Sequence, residues 1–159
     1  MLEQLKIEIL NGKKTLSEGI AVALPAFKDK ISEHKVQYLV SEFQGYEQIA
    51  LEFYKRGGKE YPPYRVVHGE MKLMQVEDGE LVSVTHPLAT NNNFFVSAPI
   101  AWIEESINLG LDPTMIEMPE IGKPPGGLIV CVTAKSNLQR IIDIVKQSLL
   151  SFIDEAEMY

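Results

Sequence analysis

The sequence has few of the residues that usually build disulfides and reactive thiols. Cys131 is the one cysteine among 159 residues, and it lies inside the apolar run LIVCVTA (128–134). A catalytic thiol would need a neighbouring histidine or a helix N-terminus. The simpler interpretation is a small buried apolar residue in a reducing compartment.

Histidine is scarce as well, since His34, His68 and His86 are the three in the chain. None of them stands at metal-ligand spacing from another His, Cys or acidic residue. His68 and His86 could face each other across a hairpin as a weak pair of metal ligands. The simpler interpretation is that His68 lies on the exposed face of a strand and His86 lies in a loop. A G-x-S-x-G nucleophile elbow is also missing. The sequence therefore predicts no metal, no cofactor and no catalytic residue.

Positive charge is sparse and scattered. The formal net charge is -7, and the densest basic clusters are the pairs Lys13-Lys14 and Lys55-Arg56. Neutralising phosphates needs clustered Lys and Arg, so direct nucleic-acid binding is not expected. No apolar run approaches the about 18 residues of a membrane span, and the start MLEQLKIEIL resembles no cleavable signal peptide. We expect a cytoplasmic protein without a membrane segment.

Glycine and lysine occur together without the context of a phosphate-binding loop. NGKKT (11–15) has Ile7 where such a loop needs its first glycine, and the residues before it have a helical pattern. Gly57-Gly58-Lys59 lacks a strand–loop–helix context, and GKPPGG (122–127) contains prolines, which have no amide to donate. Each string is predicted to be a turn. The acidic pairs Glu104-Glu105 and Asp154-Glu155 are predicted to be solvated helix faces.

The residues that are present predict a single α+β domain over 1–159, built around a β-hairpin at 61–85. Apolar residues make up 45% and charged residues 23%, so the chain can bury a core. Asp78-Gly79 is a favoured type I′ turn. The strand before it alternates, with one face carrying Val67, Gly69, Met71 and Leu73 and the other carrying His68, Glu70 and Lys72.

Helices are predicted before the hairpin. The first spans about 2–10 and ends at Asn11-Gly12. Thr15 and Glu18 form a capping box that begins the second, which Pro25 ends or kinks after Leu24. The third runs from about Asp29 to Gln44, buries Val36, Leu39, Val40 and Phe43, and is followed by one or two further turns within 47–55.

The second half is predicted to complete a small mixed sheet and to end in a long helix. Residues 86–99 are predicted to be a loop, and the residues Ile100, Ile103 and Ile107 mark a short helix. MIEM (115–118) is a short strand and LIVCVTA a central one. Ser136, with Gln139 at the reciprocal position, is predicted to cap the last helix. That helix is apolar on more than one side, as expected of a core helix or a subunit contact.

One cluster combines aromatic residues with an arginine. Tyr46 follows the third helix, and Tyr64-Arg65 stands at the start of the hairpin. The planar guanidinium of Arg65 could clamp a carboxylate or phosphate of a ligand. It could equally hold backbone carbonyls or stack on a tyrosine as a structural contact, and the structural interpretation is favoured.

LVSEFQGYE (39–47) carries a leucine–acidic–Gly–Tyr pattern, and PPYRVVHGEMK (63–73) carries a Pro-x-Tyr-Arg…Gly pattern. These two strings resemble the signature of the AbiTii domain family, which is associated with bacterial abortive-infection systems. APIAWIEESI (98–107) resembles the family's central short helix, and LIVCVTAKSNL with IIDIVKQSLLSFIDEAE (141–157) its closing strand and long helix. The matching positions are Tyr46, Tyr64, Arg65 and Gly69, which are the candidate binding residues.

The resemblance implies antiviral defence, that is phage resistance, through protein partners or self-association. It supplies no catalytic mechanism, and we expect a non-enzymatic protein-interaction or oligomerisation domain. Two alternatives stay open at this point. One is a metal-dependent nuclease or nucleotide-hydrolysing effector with a site assembled from scattered residues. The other is a virion or scaffold protein.

Overall fold

The computed structural model describes residues 1–47, 49–50, 62–75, 80–83, 92–122 and 124–158, with the backbone alone for 80–83. Its elements confirm the α+β class with N-terminal helices, a central hairpin and a long C-terminal helix. In chain order they are α1 (Leu2–Leu10), α2 (Leu16–Ala26), α3 (Glu33–Gln44), a 3-10 turn (Pro63–Arg65), β1 (Val66–Gln75), β2 (Glu80–Ser83), β3 (Asn93–Phe95), α4 (Ile100–Asn108), β4 (Thr114–Glu117), β5 (Gly127–Thr133) and α5 (Lys135–Ala156).

The sheet has the strand order β2-β1-β5-β4, and β3 pairs with the beginning of β1. All pairings between the described strands are antiparallel, so the expected mixed sheet is wrong in this detail. The predicted hairpin is confirmed where β1 pairs with β2, from Lys72 opposite Ser83 to Gln75 opposite Glu80. Its Asp78-Gly79 turn lies outside the described residues. β5 lies between β1 and β4, as its continuous apolar run predicts.

The main apolar core joins the helices to one face of the sheet, and a smaller buried cluster of Tyr46, Ala50 and Phe95 lies apart from it. Val67 and Met71 of β1, Ile116 of β4 and Cys131 of β5 are buried in the main core. The alternate residues His68 and Glu70 are exposed, as an antiparallel sheet with one solvated face requires. α5 has more buried residues than any other described helix and is confirmed as a core helix, with seven of them: Leu138, Ile141, Ile142, Val145, Leu149, Ile153 and Ala156.

The N-terminal helices follow their local signals closely. The capping box of α2 is present, since Thr15 accepts from the amide of Glu18 and the Glu18 carboxylate accepts from the amide of Thr15. α2 continues two residues past Leu24, with Pro25 inside its last turn. α1 ends at Asn11 as predicted, and Gly12 has a φ of +80°. Of the turns expected within 47–55, residues 47, 49 and 50 are helical and the rest lie outside the described residues.

α3 differs from its prediction in both its start and its buried face. It begins at Glu33, and Ser32 caps it by accepting from the amide of Lys35. Leu39 is buried as expected, but Phe43 is 40% exposed and Glu42 is fully buried. The helix is therefore rotated from the orientation that apolar periodicity alone predicts, and the reason is a charged partner from a distant part of the chain.

Two further predictions are wrong because contacts from distant residues override local signals. Residues 93–95 belong to a strand rather than a loop, since Phe94 and Phe95 pair with Val67 and Val66 of β1. Ser136 does not cap α5. Ala134 occupies the N-cap position, and the carboxylate of Asp112 accepts from the amide of Lys135 at 3.0 Å.

Candidate functional site

The candidate residues are positioned by the turn that leads into β1. The amide of Arg65 donates to the carbonyl of Pro62, and its carbonyl accepts from the amide of Val96 at 2.8 Å. Pro62-Pro63 favours an extended entry and a tight turn. Arg65 is thereby held at the junction of the 3-10 turn and β1, with 0% of its surface exposed.

Four hydrogen bonds from the Arg65 guanidinium go to protein groups. Nε and Nη2 donate to the same oxygen of Glu42, Oε1, at 3.2 and 2.6 Å. Nη1 donates to the carbonyls of Val96 and Ala98, at 2.8 and 2.6 Å. The guanidinium also stacks 4.7 Å from the centre of the Tyr46 ring. Four of its five N–H groups are thus used within the protein.

The second carboxylate oxygen of Glu42 is held by two phenols. The hydroxyls of Tyr46 and Tyr64 both donate to Oε2, and the Tyr64 contact is 2.5 Å long. The Tyr38 hydroxyl lies 3.0 Å from that of Tyr64. A phenol has one proton, so Tyr38 is the donor to Tyr64 when Tyr64 donates to Glu42. We call Tyr38, Glu42, Tyr46, Tyr64 and Arg65 the Glu42–Arg65 network.

The electrostatics keep these phenols protonated. Burial, and next the charge of Glu42, raises the pKa of both Tyr46 and Tyr64 far above the usual phenol range. Burial also raises the pKa of Tyr38. The hydroxyls therefore remain donors to a carboxylate whose charge is balanced by Arg65.

Gly45 allows the backbone to come close beside this network, and Gly69 allows a close approach elsewhere in the sheet. Gly45 ends α3 with a φ of +92°, and a Cβ there would lie 2.8 Å from the carbonyl oxygen of Ser97. The next amide, that of Tyr46, donates to this same oxygen at 2.7 Å. Gly69 serves a different contact in the sheet, where a Cβ would lie 2.5 Å from the carbonyl oxygen of Val132.

The structure thus brings three of the four candidate residues together and leaves one apart. Tyr46, Tyr64 and Arg65 belong to the network, whereas Gly69 packs against β5. The contacts favour the structural interpretation of Arg65, because its charge and its donors are used by Glu42 and by the carbonyls of 96 and 98. A role of these four residues in binding a partner stays a prediction.

Sequence reasoning did not single out Glu42. A partial signal was present, because Tyr38 and Glu42 are four residues apart and lie on one face of α3, and Tyr46 follows just past the end of that helix. A buried carboxylate needs a charged partner, and Arg65 is that partner. Apolar periodicity hid the pattern because it counts a glutamate as solvent-facing.

Glu120 is a second inward-facing carboxyl, close to the same segment. Its Oε2 accepts from the hydroxyl of Ser97 at 2.9 Å. Its Oε1 is buried and, among the described residues, has no hydrogen-bond partner. Burial, with Glu47 and Glu117 adding like charge, raises the pKa of Glu120 above its usual value.

The other titratable residues singled out from the sequence have structural contacts. Burial raises the pKa of the Cys131 thiol to about 12, so it is held protonated at neutral pH, as expected of a buried apolar residue. Glu104 is not simply solvated, since its carboxylate accepts from the amides of Leu16 and Ser17 at the start of α2. Asp154 and Glu155 pair with Lys6 and Lys35.

Within the described ranges, no group of three or more His, Cys, Asp or Glu side chains could hold a metal ion. His68 is exposed on β1, and the proposed counterpart His86 lies outside those ranges. No helix in the described part of the chain is long and apolar enough to cross a membrane. No protein-family model, curated protein or solved structure matches the chain.

Proposed function

We propose that this chain is a cytoplasmic component of a bacterial abortive-infection system, where it acts as a non-enzymatic protein-interaction or oligomerisation domain. The proposal rests on the resemblance of residues 39–47 and 63–73 to the AbiTii signature. One structural observation supports reading the two strings as a unit. Glu42 and Tyr46 of the first string meet Tyr64 and Arg65 of the second in the Glu42–Arg65 network.

The chemistry of the network supports binding through a stable scaffold rather than catalysis at these residues. A catalytic arginine must turn donors toward a substrate, whereas Arg65 is fully buried and bonds to Glu42, Val96 and Ala98. The signature residues therefore act on function by holding α3, β1 and segment 96–98 in one arrangement. Partners would then contact the surfaces that these elements position.

The test of the defence role is phage plating efficiency. Bacteria carrying the gene with its native neighbours are compared with a deletion of this gene alone, over a broad phage panel. Plating is expected to fall by orders of magnitude only when the gene is present. Restoring the deletion with an Arg140→Ala variant should return protection, because Arg140 is exposed and its hydrogen bond to the carbonyl of Val66 is long, at 3.4 Å. Restoring it with Arg65→Ala should not. Equal plating with and without the gene on every phage would refute the proposal.

The non-enzymatic part has a separate test. The purified protein is incubated with RNA, single- and double-stranded DNA and nucleoside triphosphates, each with Mg²⁺ or Mn²⁺. No turnover above a blank is expected. Turnover that co-purifies with the protein would contradict this part of the proposal and leave the defence role standing.

A further inference from the structure

An open sheet edge lies beside an exposed apolar groove on the side of the molecule formed by α4 and β4. β4 ends the strand order, and β5 is its one neighbour among the described strands. The amide of Met118 donates to the carbonyl of Ile129 in β5. Because alternate residues of an antiparallel strand turn their backbone groups to opposite sides, Met115 and Glu117 direct theirs away from β5. Those groups can pair with an incoming strand.

The groove of about 580 Å³ runs between this edge and α4. Its lining includes Trp102, Leu109 and Ile116. Trp102 is 40% exposed and Leu109 70% exposed. A partly exposed tryptophan in a concave surface is typical of an interface anchor.

The charges at the groove indicate what can occupy it. Glu105 and Glu117 both line it. Neither forms an ion pair with another described residue. The whole chain carries a net charge of -7. An occupant with Lys or Arg side chains would place opposite charge against these two carboxylates, whereas an acidic occupant would be repelled.

The same charges argue against a second copy of this chain as the occupant. In a pair of copies joined edge to edge through β4, the strand added to each groove would be Thr114–Glu117, which carries a glutamate and no lysine or arginine. Like charges facing each other across a strand pair are destabilising. The groove is therefore suited to a different, basic chain.

We propose that the β4 edge and the Trp102 groove bind an extended basic segment of a partner protein, which adds to the sheet as a strand. Backbone groups of Met115 and Glu117 pair with the segment, its apolar side chains contact Trp102 and Leu109, and its lysines or arginines face Glu105 and Glu117. This inference rests on the proposed function, since it names the surface through which an interaction domain would act.

The direct test uses a synthetic probe, the capped heptapeptide of alternating lysine and valine, with a matched peptide of glutamate and valine. Trp102 is the one tryptophan of the chain, so its fluorescence reports the groove alone. The lysine peptide should change this fluorescence saturably and slow the hydrogen exchange of the Met115 and Glu117 amides. The glutamate peptide should do neither. Equal binding of both peptides, or no response to the lysine peptide, would overturn the inference.

Variants separate the backbone and charge contributions. Met115→Pro removes an outward amide that makes no bond to β5, so the sheet should persist while binding weakens about fivefold to tenfold. Glu105→Gln with Glu117→Gln should weaken binding of the lysine peptide about tenfold and reduce its salt dependence. Glu3→Gln with Glu33→Gln, an equal charge change at exposed positions of α1 and α3, should leave binding unchanged. Unchanged affinity in the groove variants would contradict the assignment.

Sedimentation and plating distinguish the remaining outcomes. A self-association that Met115→Pro abolishes would assign the groove to a second copy and overturn the basic-partner inference. If peptide binding fails while the gene still protects against phage, the surface inference is wrong and the defence proposal stands. If the peptide binds as described but the gene gives no protection, the defence proposal is wrong and the surface inference stands.

Discussion

Glu42 and Glu120 turn inward on either side of the segment Val96–Ala98, and their oxygens are satisfied to different degrees. Glu42 has both oxygens bonded, one to Arg65 and one to the hydroxyls of Tyr46 and Tyr64. Glu120 has one bond, from Ser97, and one buried oxygen without a partner in the described residues. A carboxylate with a cation and donors is stable in the interior, whereas one with a single hydroxyl favours its protonated form.

The two sites are linked by the segment between them. The carbonyls of Val96 and Ala98 accept hydrogen bonds from Arg65. Between them, the Ser97 hydroxyl donates to Glu120, and the Ser97 carbonyl accepts from the amide of Tyr46. The network therefore holds in place the serine that is the described partner of Glu120. The comparison predicts that breaking the Glu42–Arg65 network lowers the free energy of unfolding and that neutralising Glu120 raises it.

The largest effect is expected from Arg65→Ala. Removing the cation leaves the charge of Glu42 buried and two carbonyls without donors, so unfolding should become easier by about 3–5 kcal/mol. Denaturant unfolding followed by circular dichroism measures this. Arg140→Ala, at an exposed position, should change stability by less than about 0.5 kcal/mol.

A double variant makes this prediction specific to the pair. Glu42→Leu combined with Arg65→Met removes both charges and should be much less destabilising than the sum of the two single changes. Additive single effects would show that the pair is not coupled and would remove the basis of the comparison.

An intermediate effect is expected from Tyr46→Phe. It deletes one donor to the Glu42 carboxylate while keeping the ring that stacks on Arg65 and contacts Phe95 edge to face. Loss of a hydrogen bond to a charged group should cost about 1.5–3 kcal/mol in the free energy of unfolding. Tyr38→Phe is the matched control, because its hydroxyl contacts the neutral Tyr64 hydroxyl rather than Glu42. Equal losses in the two variants would contradict a special role for the carboxylate.

The smallest effect, opposite in sign, is expected from Glu120→Gln. The pKa of the Glu120 carboxyl is raised in the folded protein, so protonation of Glu120 favours folding. This contribution to stability is fully present below the pKa of the unfolded state, near 4.5, and is lost as pH rises through the pKa of the folded state. The neutral glutamine should therefore stabilise the protein at pH 8, by less than the loss expected for Tyr46→Phe, and leave stability below pH 4 nearly unchanged.

Unfolding measured from pH 4 to pH 8 tests this difference. Wild type should lose stability relative to Glu120→Gln over that range, and Glu3→Gln should follow wild type. A parallel pH profile for wild type and Glu120→Gln would mean that the Glu120 carboxyl is satisfied, and the contrast with Glu42 would fail.

Much of the fold followed from local patterns. The capping box at Thr15, the alternation of β1 and the apolar stripe of α5 each depend on residues within a few positions of one another, where backbone geometry alone sets which side chains meet. Only part of the candidate site could be predicted from the sequence. Arg65 and the two tyrosines stood out by composition, but Glu42 looked like one more solvent-facing residue of a helix.

What the sequence by itself determined about this protein is most of its elements with their approximate bounds and the buried faces of β1 and α5, but not β3 or the buried face of α3. The tertiary structure alone decided which polar groups from distant parts of the chain meet. Arg65 finds Glu42 23 positions away, Asp112 caps α5 from 23 positions away, and Glu104 caps α2 from 88 positions away. A buried charge or an unpaired helix amide is costly, and its partner can come from any part of the chain that the fold brings near. Periodicity therefore identifies apolar faces reliably, whereas the rotation of α3 that buries Glu42 is set by an arginine on another element.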